Sequence, residues 1–342
     1  MRLAILSLVL LPIACATVGG PGLGDVDLPS SGVGPFRKLT SSEVQTTAPF
    51  LLDDPLLRWR DPGVLPLGGT EVALYAVVDR DVAGEKREVI VRSRATDGRT
   101  FFGGRGGQVP PIAVIADAPW EGRVVSGPSP VRIGGDIWLY YAADGGIGRA
   151  RSSDGIAFTK EPAPVLANDA THVFHAPSVV VFPDGRVHLF ASAGNAFYEV
   201  VGDGKSFGPP ALVLDAATVA TEAGVVVESI EDPLALVRVT AAGRTHVRVL
   251  YTSTVTGPTV GATSAIALAA RYGDDGVLSR AQTGPVFSAT ETQRSPAVAE
   301  LGDYSLLYVV DVRRNTTHPS LVGAVGPATV TLPPPDEYPG SP

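Results

Sequence analysis

Five short apolar segments of this chain each open with a dipeptide that ends in proline, and several reactive side chains stand beside those prolines. The prolines are Pro62, Pro128, Pro177, Pro233 and Pro296. Beside them stand Arg60 and Asp61, His175, Glu231 and Asp232, and Arg294. Carboxyl groups gathered from distant parts of a chain can divide the work of an acid and a base when their surroundings separate their pKa values. An imidazole or guanidinium at the same place can orient or tune them. The plainer reading is that Asp61 and Asp232 hydrogen-bond backbone where strands begin.

Other chemistries find less support. His172 and His175 are three apart, a spacing that suits a metal ion on a helix, but here they lead into a strand. His188 and His246 fall inside strand segments and read as structural, and His318 is placed to reach the same end of the fold. There is no G-x-S-x-G, H-E-x-x-H or Walker sequence. Neither a metal nor a cofactor is expected.

The elements that must position these residues repeat along the chain. From residue 51 onward, units recur roughly every 50–65 residues. The openings are RDPGVL (60–65), SGPSPV (126–131), HAPSVV (175–180), EDPLAL (231–236) and RSPAVA (294–299). A turn follows each, then an aromatic and β-branched run: EVALYAVVD (71–79), DIWLYYAAD (136–144), RVHLFASAG (186–194), HVRVLYTST (246–254) and YSLLYVVDV (304–312). Runs this short and apolar between glycine turns read as buried strands. A third strand comes next. Four units then carry Asp-Gly, as DGxxF at Asp97–Phe101, Asp154–Phe158 and Asp203–Phe207 and as DGVL at 275–278. Asp-Gly suits a tight hairpin turn. It leads to a short fourth strand such as PAPVL (162–166), ALVLD (211–215) or GPVFS (284–288).

Five such units predict an all-β, five-bladed β-propeller of four-stranded blades over residues 36–332. The fifth unit lacks a clear Asp-Gly turn and fourth strand, and residues 36–52 are available to close it. A β-sandwich leaves the repeat unexplained. Gly and Pro together exceed a fifth of the 342 residues, which rules out a helical bundle. The formal charge of −8 argues against nucleic acid as a partner.

Asp-Pro at the first opening, with recurring Asp-Gly-x-x-Phe hairpins, resembles the five-bladed glycoside hydrolases of the family 43 type over about residues 51–332. The resemblance implies a carbohydrate substrate and inverting hydrolysis by two carboxyls that flank the bond. It places the base at Asp61 and the acid at Glu231, in Glu231-Asp232-Pro233. The family's third carboxylate precedes the third proline, where this chain has Ala176 after His175. His175 would partly replace it, and Arg60, Asp232 and Arg294 would contact substrate. Trp59 and Trp120, just ahead of two openings, would stack on a sugar ring or pack between blades. A mouth lined by Gly127, Ala176 and Ser295 without convergent carboxylates would favour a propeller that binds carbohydrate or protein without cutting. Catalysis and binding both stay open at this point.

Residues 1–15 read MRLAILSLVLLPIAC. Arg2 precedes an apolar run from Leu3 to Ala14, of signal-peptide size and too short to span a bilayer. The chain's one cysteine, Cys15, closes that run, as lipoprotein signals end on a cysteine that receives diacylglycerol. The alternative is an ordinary secretory peptide. A Gly/Pro/Ser tether (16–35) follows, and 333–342 reads as an unstructured tail. Ala16 follows the cysteine where Asp would signal inner-membrane retention. The expectation is an exported monomer, attached to the cell envelope by lipid alone, on the outer membrane if the cell is Gram-negative.

Overall fold

Val72–Val78, Ile137–Ala142 and Val187–Ala193 are buried at every position. An antiparallel strand with one wet face would alternate, so both faces of these strands must be covered. Stacking sheets face to face around an axis achieves this. The computed structural model describes residues 36–45, 50–101, 109–223, 226–239, 243–256, 262–281, 285–287, 292–301, 304–312 and 318–327. Cys15, the signal and tether segments and the 333–342 tail lie outside the described residues.

Blade 1 runs outward through Arg60–Gly68, Glu71–Val82, Glu85–Ala95 and Ile112–Val114. Blade 2 has Val125–Ile133, Asp136–Ala143 and Gly146–Ser152, with its outer edge split between Thr159–Lys160 and Leu166–Ala167. Blade 3 has His175–Val181, Val187–Ala193, Ala196–Gly202 and Ala211–Asp215. A helix, Ala216–Ala223, follows, its first turn capped by Asp215 Oδ1 on the Thr218 N–H (2.7 Å). Blade 4 has Val226–Val239, Thr245–Thr256, Thr263–Tyr272 and Ser279–Arg280. Blade 5 has Thr292–Glu300, Tyr304–Val312 and Ser320–Pro327. The inner strands touch one another in cyclic order, blade 5 against blade 1, and the ring is a five-bladed propeller.

The N-terminal segment closes blade 5 as expected. Arg37 and Lys38 pair antiparallel with Val325 and Ala324, and Leu52 bridges Leu321. Lys38 Nζ reaches the buried Asp311 carboxylate (3.3 Å), which also accepts Gln293 Nε2 (2.9 Å). Two expected elements differ. Of PAPVL only Leu166 lies in a strand, since the outer edge of blade 2 is Thr159–Lys160 and Leu166–Ala167. The outer edge of blade 4 is Ser279–Arg280, and among the described residues of the segment read as GPVFS, Phe287 bridges the third strand at Ile266.

The Asp-Gly turns do more than reverse the chain. Gly98, Gly155 and Gly204 sit at φ of 65°, 73° and 85°, and each carbonyl accepts a tyrosine hydroxyl from the preceding blade. Tyr308 bonds Gly98 (2.8 Å), Tyr75 bonds Gly155 (2.8 Å) and Tyr140 bonds Gly204 (2.7 Å). The DGxxF phenylalanine packs edge-on against the same tyrosine, as Phe158 does on Tyr75 (5.8 Å) and Phe101 on Tyr308 (5.9 Å). Phe190 takes the tyrosine's place in blade 3, and there Arg271 donates to Gly276 (2.8 Å). The motif is an inter-blade staple.

Tyr75→Phe should leave the fold intact and lower stability by about 1–2 kcal/mol in urea unfolding, because the Gly155 carbonyl stays buried without its donor. Gly155→Ala should cost more, since an added Cβ would lie 2.8 Å from Tyr75 Oη and 2.9 Å from Ile137 Cδ1 at a positive φ.

Candidate active site at the axial mouth

At its proline each inner strand loses register with its neighbour: Arg60/Gly63, Ser126/Ser129, His175/Ser178, Glu231/Leu234 and Arg294/Ala297. The residues left out of the ladder are the dipeptides that end in proline, which has no N–H to donate. The residue before each proline has a positive φ: 43° at Asp61, 56° at Gly127, 46° at Ala176, 54° at Asp232 and 52° at Ser295. Such backbone is unfavourable for residues with a Cβ, and a following proline does not relieve it.

Two tiers of side chains result. Asp61, Gly127, Ala176, Asp232 and Ser295 line an axial cavity of about 260 Å³. One residue earlier stand Arg60, Ser126, His175, Glu231 and Arg294. A second cavity of about 380 Å³ lies between blades 1, 4 and 5. Arg60, Glu231 and Arg294 line it with Arg58 and His318, and it shares Asp61, Asp232 and Ser295 with the axial cavity.

The carboxyls are held by short side chains. Asp232 Oδ2 accepts the Ser295 hydroxyl (3.0 Å), the Ser295 N–H (3.2 Å) and the Thr252 hydroxyl (3.0 Å). Asp61 accepts the N–H of Gly127, and its Oδ1 lies 3.3 Å from the Ser295 hydroxyl. Burial pushes the Asp61 carboxyl up to about 6; the Asp232 charge adds to this, while the Arg60 charge opposes it. Asp232 is raised too, first by burial, against its bonds from Ser295 and Thr252. The Glu231 charge lifts it further and His175 pulls it down.

Of the residues singled out in the sequence, Asp61, Glu231, Asp232, Arg60 and Arg294 come to one cavity, and His318 joins them. Arg60 lines it with its guanidinium held by Asp79 (2.8 Å) and Glu88 (2.9 Å). Arg294 is exposed, and its guanidinium has no partner among the described residues. His175 lines the axial cavity and donates Nδ1–H to the Val173 carbonyl (3.2 Å).

The two tryptophans are corrected. Trp59 is fully buried in the core shared by blades 1 and 5. Trp120 stacks on Tyr141 (6.3 Å) between blades 1 and 2, off the axis. Neither can offer its ring to a sugar at the mouth. His172 is held by Asp169 (3.0 Å) and stacks on Phe174, away from His175. His188 and His246 are buried in strands, as expected.

Two contributors escaped the sequence reading. Ser295 read as a bland lining residue, although it holds the same pre-proline position as Asp61. Thr252 carried no signal at all, since only the pairing of Glu231 with Thr252 across blade 4 brings it to the site.

No family model and no curated protein matches this chain. Solved structures do resemble it. An endo-arabinase from Bacteroides thetaiotaomicron superposes with a TM-score of 0.58 at 15% identity, over 82% of this chain and 98% of that one. An endo-1,4-β-xylanase from the same bacterium gives 0.59 at 15% identity, over 78% and 89%. A Bacillus subtilis arabinanase gives 0.52 at 16% identity, over 80% and 96%. At these identities the likeness establishes the fold.

The raised Asp61 carboxyl has a consequence for stability. An aspartate near 3.8 when unfolded and about 6 when folded favours folding below the lower value and loses that contribution as pH rises through the upper. Asp61→Asn should therefore raise stability at pH 7 by about 1–3 kcal/mol and flatten the fall between pH 4 and 6 in thermal unfolding.

Proposed function

We propose that the chain acts on carbohydrate at this mouth by inverting hydrolysis of a glycosidic bond, with Asp61 as base and Glu231 as acid. The observation that supports it most is that carboxyls from the first and fourth blades line one cavity of about 380 Å³. Inversion needs such a pair with room for a water molecule between base and sugar. Above about pH 6 Asp61 is ionised and able to take a proton from that water. Glu231 delivers a proton to the leaving oxygen. The unpartnered Arg294 guanidinium is free to hold substrate hydroxyls or carboxylates. Structural likeness to an endo-arabinase and an endo-xylanase favours a polysaccharide substrate.

A second reading has its own observation. Gly127 and Ala176 leave the blade 2 and blade 3 side of the inner tier without a carboxyl, which favours a propeller that binds glycan or protein without cutting.

Product release from a panel of aryl-glycosides and polysaccharides separates the two. Hydrolysis predicts turnover that rises with pH through about 6 and falls by about 10²–10⁴-fold in both Asp61→Asn and Glu231→Gln. Absence of turnover, with glycan affinity that survives Asp61→Asn, establishes binding instead.

The same proposal includes export and lipid attachment through Cys15, since the cysteine directly follows the Leu3–Ala14 run. Cys15→Ser should move the protein from the membrane to the soluble fraction of the producing cell; unchanged partition would remove the anchor from this picture.

A further inference from the structure

Ser295 places one hydroxyl between two carboxyls, at 3.3 Å from Asp61 Oδ1 and 3.0 Å from Asp232 Oδ2. A hydroxyl has one hydrogen to give, so it serves one carboxylate at a time. The two acids differ in their other donors. Asp232 keeps the Thr252 hydroxyl, and a share of the Ser295 N–H that also points to Thr252 Oγ1 (3.0 Å), whichever way the Ser295 hydroxyl turns. Asp61 keeps only the Gly127 N–H. Donors to a carboxylate stabilise its charged form, and two carboxyls this close resist ionising together.

We propose that Asp61 and Asp232 hold one proton between them through the Ser295 hydroxyl, with Asp232 the permanent anion and Asp61 the proton carrier. Asp232 is then a positioning residue for Asp61. In the protonated state Asp61 donates to Ser295 Oγ, and Ser295 donates to Asp232. When Asp61 passes its proton to solvent, the Ser295 hydroxyl turns to the new Asp61 carboxylate. Asp232 retains its two other donors, so one proton leaves and one hydroxyl rotates. The consequence for catalysis rests on Asp61 as the base; the proton sharing itself does not.

The charges facing the pair are few. Arg60, on the Asp61 strand, opposes protonation of Asp61, and His175 draws Asp232 toward ionisation. Glu231 does the reverse to Asp232, and Arg58, Arg294 and His318 lie across the outer cavity.

Carboxyl-carbon NMR on the full chain labelled at aspartate, without substrate, tests this. Asp61→Asn and Asp232→Asn identify the two signals by their loss. In the parent, Asp232 should ionise below Asp61. Asp232→Asn should lower the Asp61 midpoint by roughly one unit through loss of the neighbouring charge. Ser295→Gly, which suits the φ of 52°, should raise the Asp61 midpoint by removing its second donor. The reverse order of ionisation in the parent would overturn the proposal, as would an Asp61 midpoint unmoved by Asp232→Asn. If the protein hydrolyses glycans, the acid limb of its pH profile should follow the Asp61 midpoint in Asp232→Asn. An inactive protein that still shows these shifts would remove the hydrolytic reading and leave the shared proton standing.

Discussion

At five points around one axis a backbone is held at positive φ directly before a proline, and four of those five residues carry a Cβ. Each such residue costs about 1–2 kcal/mol relative to ordinary backbone. No local interaction of the dipeptide offsets that, so the blades must hold it. Serines after two of the prolines tie one inner strand to the next, Ser129 accepting the N–H of Val179 (2.9 Å) and Ser178 that of Ala235 (2.8 Å). The strands approach so closely that a Cβ on Gly63 would lie 1.9 Å from the Pro128 carbonyl oxygen. The same crowding accounts for glycine at 127, where a Cβ would lie 3.0 Å from Ala176 Cα. The kink splits each strand opening into an axial residue and an outer one, and the carboxyls of Asp61, Asp232 and Glu231 occupy those two tiers.

The fold was largely legible because the restraint that builds it is periodic. Tyr75, Tyr140 and Tyr308 fall at equal places in their strands, and Asp-Gly-x-x-Phe recurs at the places they contact. Blade 4 carries Leu250 at the tyrosine position and the unit after it lacks the Asp-Gly turn. Blade 3 carries Phe190 there, whereas the next unit keeps the turn with Arg271 as the donor to Gly276. Periodic contacts leave periodic letters. The closing strand was legible as an absence, since unit 5 lacked a fourth strand and residues 36–52 were unassigned.

The site was legible only in outline. Asp61 and Glu231 announced themselves through their prolines, but proline position does not say where a long side chain turns. Arg60 turns to Asp79 and Glu88, and Trp59, beside it, enters the core. Asp232 read as a neighbour of the acid, and only the fold brings its charge beside Asp61 with Ser295 between them. The inner tier carries its two carboxyls on blades 1 and 4, with Ala176 and Gly127 on the far side. Concentrating charge there makes the ring less stable near neutral pH and gives it a carboxyl that titrates near 6.

The most direct measurement is proton NMR of the first sugar anomer released from a polysaccharide that the protein cleaves. Inverting action by Asp61 and Glu231 gives the anomer opposite in configuration to the bond broken, before mutarotation, and none from Asp61→Asn. Release of the retained anomer, or turnover that persists in Asp61→Asn, would contradict the assignment of Asp61 as the base.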